Sequence, residues 1–214
     1  MRVVTGLDGS KDLRQAEIDR HAEVMSRFVE SVQGQILSRE MRTLTLILRS
    51  ATSDPAQALI SMKDEFLRAS LGAKVILAKL QPEDAMQQLF GCLSELRPSE
   101  PANELIRWAK NPRLLDAHEQ VTYGVSMCWS GDAMRRDAGK RNALALFDEH
   151  AADPVKLARR SFEALWTASV LVPHARLLGT AIVRPSGAYE TLNKDSLVPS
   201  PLRPGPQGWP LVRH

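Results

Sequence analysis

The sequence predicts an α/β protein with a mixed sheet flanked by helices. A strand, a helix and a second strand follow one another over residues 43–80, and three short strands cluster between residues 114 and 148 before a last helix. The alternation of strand and helix is typical of a parallel pair joined by a helical crossover, and the first two of the clustered strands are expected to be adjacent.

The first part of the chain begins with a helical pattern and continues with a strand. Residues 11–36 carry apolar side chains at spacings of three and four, which predicts an amphipathic helix. Residues 43–48 (TLTLIL) alternate as a strand does. We expect this strand to pair in parallel with residues 73–80 (AKVILAKL) through a right-handed crossover.

The crossover is predicted to be one helix with recognisable ends. Asp54 is expected to be its N-cap and Pro55 its first helical residue. The helix is expected to run to about residue 70, with Gly72 as its C-terminal cap. The remaining predicted elements are a helix over 82–96, a short strand over 105–110, strands over 116–124 and 125–132 with a turn near Gly124, a strand over 142–148, and a helix over 155–169 that starts at Asp153-Pro154.

Proline content divides the chain into three predicted parts. Seven of the 13 prolines lie between residue 173 and the last residue, where they exclude long helices and central strands. We therefore predict a lead-in with the start of the first helix over 1–23, an α/β domain over 24–172, and an extended proline-rich arm over 173–214. Two alternatives remain for the arm: a ligand for a partner's groove, or a tail that packs across its own domain or a neighbouring subunit.

Composition narrows the class of protein. The apolar runs are far shorter than the ~20 residues of a membrane span, and the first residues turn polar before a signal-peptide core forms. A cytoplasmic protein is therefore expected. Cys92 and Cys128 are too few for a disulfide framework and are expected to be packed thiols. A net charge of +3 and a pI near 9.0 permit contact with phosphates without requiring it.

Residues 114–148 hold most of the candidate functional side chains. His118 opens a predicted strand, and the sequence Trp129-Ser130-Gly131-Asp132 closes the next one. Four cations follow, Arg135, Arg136, Lys140 and Arg141. They are interpreted either as a phosphate or nucleic-acid surface or as a solvated loop whose arginines pair with Asp132 and Asp137. Ser130 is interpreted as a turn residue rather than a nucleophile.

This order of elements and its closing segments resemble one half of the phospholipase D superfamily fold over roughly residues 24–169. The resemblance is carried by HEQVTYG, CWSGDAMRR, KRNALALFD and the helix DPVKLARRSFEALW. It implies paired histidines that attack a phosphodiester and protonate its leaving group, lysines that hold phosphate oxygens, and, with one copy per chain, a homodimer.

Carried over to this sequence, the resemblance matches only His118 of the catalytic set. Gln120 stands where the family has lysine, and no acidic residue occurs in residues 121–127, where its aspartate is expected. Gly131 matches, but Asp132 replaces a small hydroxylated residue and the asparagine position falls near Arg135. The resemblance therefore implies a degenerate site, with the fold retained and most of the chemistry lost.

Three functions follow as hypotheses. The first is a non-catalytic phospholipase D-like module, expected to be a homodimer, that binds a protein partner or a phosphate-bearing ligand. The second is a phosphodiesterase or nuclease centred on His118, with the cations after it, together with Gln120, Ser130 and Asp132, contacting phosphate. The third is non-specific nucleic-acid binding through residues 135–141. No cofactor is expected, and the spacing of His118, Cys128 and Asp132 does not indicate a metal site.

Overall fold

A computed structural model describes residues 8–111, 118–132, 145–149 and 152–178, and side chains within 12–111, 118–132, 146–148 and 152–178. Within these residues the fold is α/β, with a seven-stranded mixed sheet and seven helices. The elements are α1 (Asp8–Val32), β1 (Thr43–Leu48), α2 (Asp54–Ser61), α3 (Lys63–Arg68), β2 (Gly72–Leu77), α4 (Glu83–Leu96), α5 (Ala102–Leu105), β3 (Ile106–Trp108), β4 (Glu119–Tyr123), β5 (Met127–Gly131), β6 (Ala145–Glu149), α6 (Ala152–Ala168), β7 (Val170–Leu171) and α7 (His174–Leu178).

The sheet order is β6-β5-β4-β1-β2-β3-β7. β1, β2 and β3 are parallel, which confirms the predicted pairing of the first two strands. β4 pairs antiparallel with β1, β5 with β4 and β6 with β5, and β7 closes the other side antiparallel to β3. The predicted α/β fold with a mixed sheet is therefore confirmed.

The two faces of the sheet have different cores. Alternate residues of β1 and β2 pack with α1, α2, α3 and α4 in the main core, which includes Met25, Phe28, Leu46 and Val75. The intervening residues face α6, where Ile47 and Ile76 pack with Phe162. The period-two alternation of the strands thus divides each strand between the two faces. None of the helices within the described residues is long and apolar enough to cross a membrane.

The predicted crossover helix differs from the structure at both ends and in the middle. Met62 separates α2 from α3, so the crossover is two helices. Ser53 is the N-cap and Asp54 the first helical residue, so the prediction of Asp54 as the cap was wrong. Gly72 is not the C-terminal cap but the first residue of β2, and the left-handed residue after α3 is Ser70, with φ 54°. The prediction failed because it took glycine as the marker of the helix end, whereas the left-handed residue here is a serine.

Other predicted elements are confirmed with shifted ends. The strand expected over 105–110 is divided between α5 and the three residues of β3. The turn near Gly124 is present, with φ 56° at that glycine. Both cysteines are buried free thiols, as expected.

The start of the predicted proline-rich arm contains α7. Leu177 of this helix is buried in the main core, next to α4. Pro173 precedes α7 at a position where its missing N–H costs nothing. The remainder of the arm, from residue 179, lies outside the described residues, so its boundary at 173 stays a prediction.

Candidate functional site

The carboxyl ends of β1 and β2 meet the start of β4 and the end of β5 at one edge of the sheet. The hairpin register pairs Glu119 with Gly131, so the residues just beyond, His118 and Asp132, face each other. His118 Nδ1 lies 2.8 Å from Asp132 Oδ1. The imidazole is 52% exposed, whereas the Asp132 side chain is 2% exposed. A buried carboxylate therefore contacts one nitrogen of a solvent-accessible imidazole.

Other predicted site residues lie along the same pair of strands. Gln120 of β4 is directly opposite Ser130 of β5, and its amide Nε2 donates to Thr122 Oγ1 at 3.3 Å. Ser130 lies within β5, paired also with Leu146 of β6, so its interpretation as a turn residue was wrong. Since residues two apart share a face of a strand, Gln120 and Ser130 continue the face that begins with His118 and Asp132.

Arg135, Arg136, Lys140 and Arg141 lie outside the described residues. Their proposed contact with phosphate, and nucleic-acid binding by residues 135–141, therefore stay predictions. Within the described part of the chain, no three His, Cys, Asp or Glu side chains are grouped as a metal site requires.

Glu119 is a buried carboxyl group beside His118 that was not predicted from the sequence. Its side chain is on the opposite face from His118 and only 1% exposed. Its Oε1 accepts hydrogen bonds from Ser53 Oγ at 2.5 Å and from the Arg49 backbone N–H at 2.7 Å. Burial raises the pKa of Glu119 to about 7, although both hydrogen bonds favour the charged form. Glu119 therefore connects the start of β4 to the loop between β1 and α2.

That loop is held by a network of short polar contacts. Ser53 Oγ accepts a hydrogen bond from the Ser50 N–H at 3.3 Å, and the hydroxyls of Ser50 and Thr52 are 2.9 Å apart. Arg14 of α1 donates to the Thr52 carbonyl and contacts Asp54 Oδ1 at 3.2 Å. The edge of the sheet beside His118 is therefore a hydrogen-bonded assembly of β1, α1, α2 and β4.

The pairing of His118 with Asp132 was missed, although the sequence held a signal for it. A three-residue turn over 124–126 makes Tyr123 oppose Met127, and each step outward then pairs the next two residues. Counting outward from that turn brings 118 opposite 132. The family resemblance places the acidic residue in residues 121–127, whereas the fold provides an acidic partner from the next strand.

Comparisons of this chain with protein-family models, with curated proteins and with solved structures found no match. The class of protein is therefore defined by the fold and the site alone: an α/β protein with a mixed seven-stranded sheet and a His–Asp pair at one sheet edge.

Proposed function

We propose that this protein acts on a phosphate ester, with His118 as the group that transfers a proton at the edge of the sheet. The observation that carries the proposal is the 2.8 Å contact between His118 Nδ1 and the buried carboxylate of Asp132. A carboxylate at Nδ1 favours the tautomer with its proton on that atom, which leaves Nε2 to exchange a proton with a ligand. The half-exposed imidazole is accessible for that exchange.

The phosphate in this proposal comes from the resemblance of the sequence to one half of the phospholipase D fold and from the cations at 135–141. Arginine and lysine are suited to phosphate oxygens because they remain charged and donate several hydrogen bonds. A homodimer that brings two copies of His118 together is part of the same proposal. Sedimentation analysis of the full chain tests it, and a monomer at all concentrations would contradict it.

The catalytic proposal is tested by turnover of bis(4-nitrophenyl) phosphate by the full-length protein. We expect His118→Ala to lower the rate by about 10²-fold or more, as for other proton-transfer groups. Asp132→Asn should lower it by at least about tenfold because it disturbs the tautomer and orientation of the imidazole. His174→Ala is the matched control, since His174 is an exposed histidine on α7. Turnover that survives His118→Ala would contradict the proposal.

A second candidate function is a non-catalytic module that binds a phosphate-bearing ligand or a protein partner. Gln120 favours it: the resemblance assigns a lysine to this position, and the amide here is hydrogen-bonded to Thr122. An amide supplies no positive charge to a phosphate. A non-catalytic module should not turn over bis(4-nitrophenyl) phosphate but should bind pyrophosphate, and calorimetry measures that binding. Gln120→Lys should tighten that binding by about tenfold through a charge-assisted hydrogen bond, and an unchanged affinity would contradict it.

A further inference from the structure

A cavity lies at the opposite end of the sheet from His118. It has a volume of about 400 Å³ and lies between α6 and the beginning of β1. Thr43 and Thr45 of β1, Lys74 of β2, and Phe162 and Trp166 of α6 are among its lining residues. Cavities of about 300–1,000 Å³ with apolar walls and a few polar groups are typical of small-molecule sites.

One wall of the cavity is aromatic and carries positive charge. Phe162 and Trp166 stack with ring centroids 5.4 Å apart and planes inclined by 26°. Lys74 Nζ lies 5.1 Å and the Arg107 guanidinium 4.7 Å from the centroid of Trp166. Because two cations already face this indole, a cationic ligand would be repelled there. Because Phe162 and these cations occupy the faces of the indole, an apolar group in the cavity would pack against the edge of Trp166, which is half-buried.

Three cations line the cavity, and each contacts a carboxylate. Arg39, Lys74 and Arg159 lie there together with Glu40 and Glu163. Arg39 contacts Glu100, and Lys74 contacts Glu104. Arg159 is 30% exposed and contacts Glu40 at 2.8 Å, whereas Glu40 itself is 75% exposed. An exposed ion pair contributes little free energy, so a ligand anion can displace Glu40 from Arg159 at small cost.

The hydroxyl of Thr45 is an unsatisfied polar group within the described part of the chain. Its Oγ1 is buried and, among the described residues, makes no hydrogen bond. Leaving such a group unsatisfied costs about 1–3 kcal/mol. Because this atom is closed to solvent, a polar atom of a ligand would satisfy it only after the Thr45 side chain, which lines the cavity, turns toward the ligand.

We propose that this cavity binds a small organic anion with a flat apolar body and one carboxylate or phosphate head. The apolar body packs against Trp166, the anionic head contacts Arg159, and a polar atom of the ligand bonds to Thr45. The site is separate from His118 and does not rest on the phosphate-ester proposal.

The test is calorimetric titration of the full-length protein with four naphthalene probes. 2-Naphthoate and 2-naphthyl phosphate distinguish the two anionic heads, while 2-naphthamide and 2-naphthylmethylamine are the neutral and cationic controls. We expect one-to-one binding of at least one anion and affinities at least about tenfold weaker for both controls, because hydrogen bonds to charged groups are the stronger ones. Equal or tighter binding of the amide or the amine, or no binding of either anion at millimolar concentration, would overturn the proposal.

Matched variants locate the site. Arg159→Gln should weaken anion binding by about tenfold, whereas Arg160→Gln, at the neighbouring exposed position of α6 outside the cavity lining, should not. Thr45→Val should raise the melting temperature of the ligand-free protein, because it removes an unsatisfied buried hydroxyl, and yet weaken binding by about fivefold. His118→Ala should leave binding unchanged. Equal effects of Arg159→Gln and Arg160→Gln would contradict the assignment.

Discussion

Glu119 shows how one buried carboxyl group can join two parts of a site. Its neighbours in the chain, His118 and Gln120, belong to the face of β4 that carries the His–Asp pair, whereas Glu119 lies on the other face with Val121 and Tyr123. Its two hydrogen bonds, from Ser53 and from the Arg49 backbone, fix the loop after β1 against the start of β4. The position of His118 therefore depends on contacts made behind it.

Glu119 should make stability depend on pH. Its pKa is raised from 4.5 to about 7 in the fold, so the folded state binds more protons than the unfolded state between these values. The contribution of Glu119 to the free energy of unfolding is then highest below the unfolded pKa and falls as pH rises toward 7, by up to about 3 kcal/mol. Glu119→Gln removes this group from the titration and keeps an acceptor oxygen.

Urea unfolding of both proteins at pH 4.5, 6 and 8 measures this effect. The difference in stability between Glu119→Gln and the unmodified protein should shift in favour of the variant as pH rises. Glu119→Ala should be destabilised by about 1–3 kcal/mol at low pH, because Ser53 and Arg49 lose their acceptor. A difference between the glutamine variant and the unmodified protein that is constant with pH would refute the interpretation.

At the scale of elements, the β4–β5 hairpin determines the candidate site. The sequence predicted both strands and the turn near Gly124, because the turn residue and the strand-forming residues on either side are local signals. The contact between His118 and Asp132 depends on register, which is fixed by the number of residues in the turn. A turn one residue longer or shorter would place each side chain opposite a different partner, and the sequence does not determine the turn length that closely.

The hairpin turn requires glycine at 124. Its φ of 56° is in the left-handed region, and a Cβ there would lie 2.6 Å from the Met41 carbonyl oxygen. Gly124→Ala should therefore lower stability by about 2 kcal/mol or more, measured by urea unfolding. Gly91→Ala is the matched control, because Gly91 lies within α4 and a Cβ there meets nothing within 4 Å. That control should gain up to about 1 kcal/mol.

A loss at Gly124 no larger than the change at Gly91 would show that the turn tolerates a side chain. The hairpin register would then not be fixed by this residue. The pairing of His118 with Asp132 would need another explanation.

At the scale of the whole molecule, the sequence predicted the layers better than it predicted the cavities between them. The apolar spacing of α6 identified a helix, and the strand patterns identified the sheet. Which part of the sheet α6 covers depends on contacts between residues far apart in sequence, such as Phe162 with Ile47 and Ile76. Local sequence patterns do not indicate such contacts, so the cavity beside Thr45 and Trp166 was not predicted.

The packing of α6 on the second face can be tested with two substitutions in one helix. Phe162 is 5% exposed and packs with Ile47 and Ile76, whereas Leu157 is 67% exposed. Phe162→Ala should lower stability by about 3–5 kcal/mol through lost burial and a new cavity. Leu157→Ala should change it by no more than about 0.5 kcal/mol.

Both variants remove a large apolar side chain from α6, so the difference in their urea unfolding curves isolates docking on the sheet. Equal losses would mean that α6 does not cover this face, and the cavity beside Trp166 would lose its wall.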